Sequence, residues 1–409
     1  MKRSILAVAT SAPACRTVNG LLLDKKFVAG MVRYAALWDG PVLALVPESR
    51  TLAPFTSLFE PDELPFKLRT FKRGTGELRG LIADADIALL GGDAFDQLDL
   101  HRHCRKADVA CVYTIENTLM TRFQIARLEG TRPRVRRMRQ ALWLLATERK
   151  RREALRSADG VQANGYPAYE AYAPLNPRTL CYLDNRSEVA SFVTPSETRA
   201  RTRHVLGGGR LRLLHSGRLE TLKGSQHIVP IALGLRSRGV DFEITVFGEG
   251  ALKDEMQQAI TRHGLEREVR LMGSIDFRNE LVPFARRNAD AFLSCNLQSD
   301  PSCTYLESMA CGLPVFGYAN RMWSALRAHS GGGWSVRTGD LGAMVSQIAE
   351  VSVRREALLR AGARAREFAA AHTFEAEFAA RIDHLEQVLS AAKPRRCYAS
   401  PRGGRAVKA

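Results

Sequence analysis

The chain has 409 residues, 45% hydrophobic and 25% charged, with 32 glycines and 17 prolines, a balance that excludes fibrous and disordered classes and predicts two folded domains. Sixty Lys and Arg against forty-three Asp and Glu leave a net charge of +17, which asks for an anionic partner: a phosphorylated substrate, an anionic membrane surface or nucleic acid. Eight cysteines without a CxxC pair or His companions at ligand spacing argue against a metal site and a disulfide framework, and are expected as reduced thiols.

The apolar run at the start is too short to span a bilayer, and Pro13 with the polar stretch Arg16–Gly20 follows where a helix would have to continue. Ser4–Ala9 therefore reads as a buried strand rather than a signal peptide, which places the chain in the cytoplasm. Pro41–Val46, Ile87–Leu90 and Ala110–Tyr113 fit further buried strands and Asp24–Trp38 an intervening helix. Between Arg132 and Arg156 lie ten basic and two acidic residues around an apolar centre that includes Trp143 and Leu144. That helix is either a solvated one laid on its own domain or an interfacial one on anionic lipid. Gly160–Asn164 and Thr179–Leu183 close this half.

The polar run Ser196–Arg203 and Gly207-Gly208-Gly209 read as the domain boundary. A second alternating series follows, with strands expected at Leu211–Ser216, Phe242–Phe247, Val269–Met272, Ala291–Ser294 and Pro314–Gly317, and helices between them. Leu341–Leu389 reads as helical throughout. The expectation is an α/β chain of two Rossmann-like, doubly wound domains, residues 1–200 and 201–375. A helix over 376–392 could cross back to the first, and 393–409 is a basic disordered tail.

In open parallel sheets, ligands bind past the carboxyl ends of the strands. After Leu211–Ser216 come Gly217, Arg218 and, five residues on, Lys223 before a new helix; a guanidinium fork and a mobile ammonium there would neutralise a diphosphate. Gly248 and Gly250 close the next strand and let backbone approach a ligand, but the third glycine and the acidic residue of a dinucleotide fingerprint are missing. Finally Ser299, Asp300, Ser302, Cys303 and Thr304 lead into a helix carrying Glu307, whose carboxylate can accept paired ribose hydroxyls.

In this order Gly217-Arg218-Leu219…Lys223-Gly224, Phe247-Gly248-Glu249-Gly250, Val269-Arg270-Leu271-Met272-Gly273 and Leu306-Glu307-Ser308-Met309-Ala310-Cys311-Gly312-Leu313-Pro314-Val315 resemble the C-terminal domain of glycosyltransferase family 4, retaining enzymes of the GT-B fold, over about 170 residues. The resemblance implies two domains facing each other across a cleft and a nucleoside-diphosphate sugar as co-substrate, with no metal or other cofactor. It makes Arg218 and Lys223 the diphosphate cations, Glu307 the ribose carboxylate, Met272-Gly273 the neighbours of the base, and Ser302, Cys303 and Thr304 the phosphate and sugar loop. Ser299 stands where the first of the family's two glutamates belongs, and Asp300 is the nearest substitute.

The acceptor, a saccharide or lipid-linked saccharide, is expected on the first domain. Candidates after its strands are Asn19, Gly20, Asp93, Glu116, Asn117 and Asn164, each also explicable as a cap or turn residue. His101 and His103 are candidate general bases. The resulting expectation is a cytoplasmic transferase for polysaccharide or glycolipid assembly, peripheral on the inner membrane face through Arg132–Arg156, with no nucleic acid bound. The alternatives are a nucleotide-sugar epimerase of the same two-domain fold and a non-enzymatic nucleic-acid-binding protein.

Overall fold

Two parallel sheets organise the computed structural model, which describes residues 3–49, 56–128, 134–299 and 301–397. The first has seven strands, in the spatial order Thr179–Tyr182, Gly160–Asn164, Ala110–Ile115, Ile87–Gly91, Leu6–Ala9, Val42–Pro47 and Lys67–Phe71. The second has six: Val269–Leu271, Phe242–Phe247, Leu211–Ser216, Ala291–Ser294, Val315–Tyr318 and Gly333–Val336. Strands such as Leu6–Ala9 and Ala291–Ser294 are buried along their whole length, because helices cover both faces of a parallel sheet, and so they read as unbroken apolar runs. In each sheet the strand order reverses beside the domain's first strand, Leu6–Ala9 or Leu211–Ser216, which opens a crevice at the carboxyl ends.

Departures from the sequence reading have local causes. Asn19 and Gly20 lie at the turn of a hairpin: Cys15–Thr17 and Gly20–Asp24 pair antiparallel, and the second also with Thr56–Phe59, in a separate three-stranded sheet. Gly20, at φ +135°, could not carry a Cβ, which would lie 2.6 Å from the Phe59 carbonyl oxygen, so packing alone accounts for it. Lys67–Phe71 and Gly333–Val336 are edge strands that no apolar run announces, since one alternates exposed and covered residues and the other is only half-buried.

The polar run at 196–203 is no linker. It lies in a helix, Pro195–Leu206, opened by a capping box in which Thr194 and Glu197 each bond the other's backbone N–H. Its buried Arg201 donates to the carbonyls of Gly312, Ala285 and Arg286, so the helix is built into the second domain and the chain crosses between domains before it.

Leu341–Val353, Arg355–Ala371 and Phe374–Cys397 form three helices at the end of the chain. The last returns to the first domain, where Phe378, Ile382, Leu385 and Val388 join Leu6, Met31 and Tyr34 in one core. Its Arg381 lies over the rings of Tyr182 (4.3 Å), Phe378 (4.9 Å) and Tyr34 (5.3 Å) and donates from Nε to Gln162 Oε1 at 3.0 Å. This helix runs past Lys393, where a disordered tail was expected to begin, to Cys397; residues 398–409 lie outside the described residues.

Truncating Phe378 removes an aromatic shared by the last helix and the first domain. Phe378→Ala should cost about 3–5 kcal/mol, read as an earlier midpoint of the first domain's transition in denaturant titration.

Candidate active site

The expected phosphate loop is tied to its neighbours by backbone. Gly217 N donates to Phe247 O (3.0 Å), Leu219 N to Glu249 O (2.9 Å) and Gly248 N to Gly273 O (2.8 Å), so the turns after three adjacent strands form one surface. Gly248, at φ +142°, permits this: a Cβ there would sit 1.9 Å from Gly217 O. Arg218 is half-exposed and pairs with Glu220 at 3.1 Å. Lys223 ends the short turn Thr221–Lys223, and the donation from Leu297 N to Leu222 O at 3.1 Å holds that turn against the segment after Ala291–Ser294. Beneath lies His215, whose Nδ1 faces Leu293 O at 2.9 Å. Burial, with the charge of Lys223 adding, pushes its imidazole down to about 4. Met272 is exposed beside the Gly273 turn.

Glu307 lies in the seven-residue helix Thr304–Ala310 and is 5% exposed. Both of its oxygens are taken by one guanidinium: Arg186 Nε donates to Oε1 at 2.7 Å and Nη2 to Oε2 at 2.9 Å. Arg186 also stacks on Phe277, 3.9 Å from the ring centroid. Burial would lower its pKa, but the charge and hydrogen bonds of Glu307 outweigh that and hold it above its ordinary value.

The first domain meets the loop before Glu307 directly. Lys26 Nζ, near the start of the helix Lys25–Leu37, donates to Asp184 Oδ2 at 2.5 Å and to Cys303 Sγ at 2.9 Å. Burial pushes the Cys303 thiol up to about 11, so at neutral pH it meets Lys26 as a thiol. Gln124 Oε1 accepts from Ser299 N at 3.1 Å, and Ser299 Oγ accepts from Arg321 N at 3.2 Å. Asp300 lies outside the described residues. At the carboxyl ends of the first sheet, Asp93 accepts from the N–H groups of Glu116 and Asn117 (2.8 and 3.2 Å) and pairs with Arg122. Asn164 donates to Glu116 Oε2 at 3.1 Å, and its own Oδ1 accepts from Asp184 N at 3.1 Å. A polar chain thus runs from Asp93 through Glu116, Asn164, Asp184 and Lys26 to Cys303. The histidines stand outside it: His101 and His103 face the backbone carbonyls of Leu98 and Arg79 at 2.9 and 2.7 Å.

Residues 196–368 match the family model described as glycosyl transferases group 1. The match falls within the second domain. Among curated relatives, a D-inositol 3-phosphate glycosyltransferase of Pseudarthrobacter chlorophenolicus is 29% identical over 132 residues, 31% of each chain. The amylovoran biosynthesis glycosyltransferase AmsK of Erwinia amylovora is 30% identical over 149 residues, 35% of this chain and 36% of its own. The aligned part is thus about a third of each relative's length. The crystal structure of Anabaena HepE in complex with UDP superposes with a TM-score of 0.68 at 15% identity, covering 96% of this chain and all of the other. The architecture is GT-B, two Rossmann-like domains across a cleft.

In the second domain the structure sets the loops of Gly217, Arg218 and Lys223 and of Ser299, Ser302, Cys303 and Thr304 past two adjacent strands, Leu211–Ser216 and Ala291–Ser294. Glu116, Asn117 and Asn164 lie at the facing strand ends, while Asn19 and Gly20 belong to the side hairpin. Arg186, Lys26, Asp184 and Gln124 were not singled out by the sequence. The one local hint was the run Asp184-Asn185-Arg186, polar residues directly after a strand.

His215 makes stability pH-dependent. Its folded pKa of about 4 lies below the ordinary 6.5, so the unfolded chain binds the extra proton and stability present above pH 6.5 is lost as pH falls toward 4. Replacing it in His215→Phe should flatten the stability profile over that window, by up to roughly 3 kcal/mol, in denaturant midpoints measured against pH.

Proposed function

We propose that the protein is a retaining glycosyltransferase that moves a sugar from a nucleoside-diphosphate sugar to a saccharide acceptor, whether oligosaccharide, polysaccharide or lipid-linked sugar. The observation that carries this reading is the meeting, in a group 1 domain, of the Arg218–Lys223 loop and the Glu307 loop past two adjacent strands, opposite the polar strand ends of the first domain.

The chemistry follows from the groups present. Negative charge grows on the diphosphate as it leaves, and the Arg218 fork and the Lys223 ammonium stabilise it there, the work a metal ion does at other sites. Glu307 accepts the ribose hydroxyls. Arg186 occupies one lone pair on each carboxylate oxygen and fixes the plane of the group, which leaves the remaining lone pairs for the diol. Met272-Gly273 flanks the base, and Ser299, Ser302, Cys303 and Thr304 face the sugar. Retention requires the acceptor oxygen to enter on the face from which the diphosphate departs, the side toward Glu116 and Asn117. HepE in complex with UDP makes uridine sugars the first donors to test, and the amylovoran relative favours a polysaccharide acceptor. A cytoplasmic setting at the inner membrane face completes the reading.

A thermal-shift series with UDP, GDP and ADP sugars should show one base that raises the melting temperature. Arg218→Ala should abolish that shift and Glu307→Gln reduce it; full shifts in both variants would overturn the site. Incubation with the donor so found should then yield acceptor-linked sugar rather than an epimerised nucleotide sugar.

Arg186→Ala leaves the Glu307 carboxylate without its fork. Donor affinity should fall about tenfold or more, and Arg186→Lys should recover only part of it, because an ammonium cannot bind two oxygens in one plane. Isothermal titration with the nucleoside diphosphate reads both changes.

A further inference from the structure

The helix Arg134–Ser157 has two apolar sides, of which the first domain covers one. Leu144, Thr147, Arg151 and Leu155, at three- and four-residue spacing, are buried, and Arg151 donates from Nε to Gly92 O at 2.9 Å. Val135, Met138, Leu142 and Leu145 recur at the same spacing on the opposite side and are half or more exposed, Leu142 at 60%. Trp143, 51% exposed, flanks this stripe with its ring 5.7 Å from that of the exposed Phe95. A surface helix ordinarily turns its only apolar stripe toward the core.

Exposed cations frame the uncovered stripe, with Arg136, Arg137 and Arg139 toward one end and Arg149, Lys150 and Arg152 toward the other. The helix's two acids add no free negative charge, since Glu148 is buried against Arg151 and Glu153 pairs with Arg102 at 2.5 Å. We propose that this stripe docks on an anionic lipid bilayer, its aliphatic side chains and Trp143 entering the headgroup boundary while the surrounding Arg and Lys meet lipid phosphates. Charge decides against a second copy, and side-chain type against nucleic acid. A second copy packed by symmetry would bring the same cations face to face, and single-stranded nucleic acid is held by stacking aromatics where this stripe is aliphatic.

The stripe lies at the rim of the cleft. Gly92, held by Arg151, directly follows the strand Ile87–Gly91 at its carboxyl end. The adjoining helix Leu119–Leu128 carries the exposed Met120 and, four residues on, the Gln124 that reaches Ser299. Docking here brings the carboxyl-end rim of the first sheet to the membrane, where a lipid-linked acceptor would stand. That last step rests on the transferase reading; the docking itself does not.

The full chain is sedimented with phosphatidylcholine vesicles, with and without phosphatidylglycerol, at low and high salt. Binding is expected to the anionic vesicles at low salt and to be weakened by salt and on neutral vesicles about tenfold or more. Leu142→Ser/Leu145→Ser and Arg136→Glu/Arg137→Glu/Arg139→Glu should each reduce it to a similar degree with unchanged thermal unfolding, since every altered side chain is exposed. Brominated lipid should quench tryptophan fluorescence in the unaltered protein, and Trp143→Phe should bind yet lose most of the quenching. The proposal fails if anionic vesicles leave the protein in the supernatant at low salt, if neutral vesicles bind it equally, or if both multiple variants still bind. A lipid-free dimer that Leu142→Ser/Leu145→Ser dissolves would assign the stripe to a second copy instead. Loss of vesicle binding with an intact donor thermal shift would overturn docking alone and leave the transferase reading standing.

Discussion

A carboxylate withdrawn from water has to be compensated, and at Glu307 the compensation arrives from outside its own domain sequence. The two-pronged bond from Arg186 ties the segment that crosses between the domains to the short helix Thr304–Ala310. Removing one partner of such a pair strands the other charge, which costs more than the pair itself contributes. The stacking of Arg186 on Phe277 limits the guanidinium to one plane and so orients the carboxylate in turn.

The same logic extends across the cleft. Lys26 reaches Asp184 and Cys303, Gln124 reaches Ser299, Arg321 pairs with Glu170 at 2.7 Å, and Tyr166 stacks on His329 with centroids 4.4 Å apart. These contacts stand beside apolar packing of Tyr166 and Leu183 on the core that holds Met322 and Trp323, so direction and buried area together fix the relative position of the domains. The side chains they hold in place are those nearest the expected reaction centre.

What could be read from the sequence divides along physical lines. Strands covered on both faces, such as Leu211–Ser216 and Phe242–Phe247, appear as apolar runs and fall where the pattern puts them. The half-covered edges Lys67–Phe71 and Gly333–Val336 leave no such run. The hairpin at 15–24 was hidden because the turn residues Asn19-Gly20 look alike in a loop and in a hairpin. Polar composition at 196–203 suggested a linker, yet a helix that buries a single arginine by bonding carbonyls needs few apolar residues. Of the expected site residues, Arg218, Lys223 and Glu307 stand in contiguous motifs, where a local reading can single them out. Arg186, Gln124 and Lys26 act on residues 121, 175 and 277 positions away, and no local spacing encodes a contact at that range.

The closing helix carries a consequence for how the chain is made. Phe374, Phe378, Ile382 and Leu385 belong to the same core as Leu6 and Val8, so the amino-terminal half leaves the ribosome with a hydrophobic groove open along its sheet. That groove stays open throughout synthesis of the carboxyl-terminal half. The helix Phe374–Cys397 seals it, so the domain translated first is completed after the second has been made.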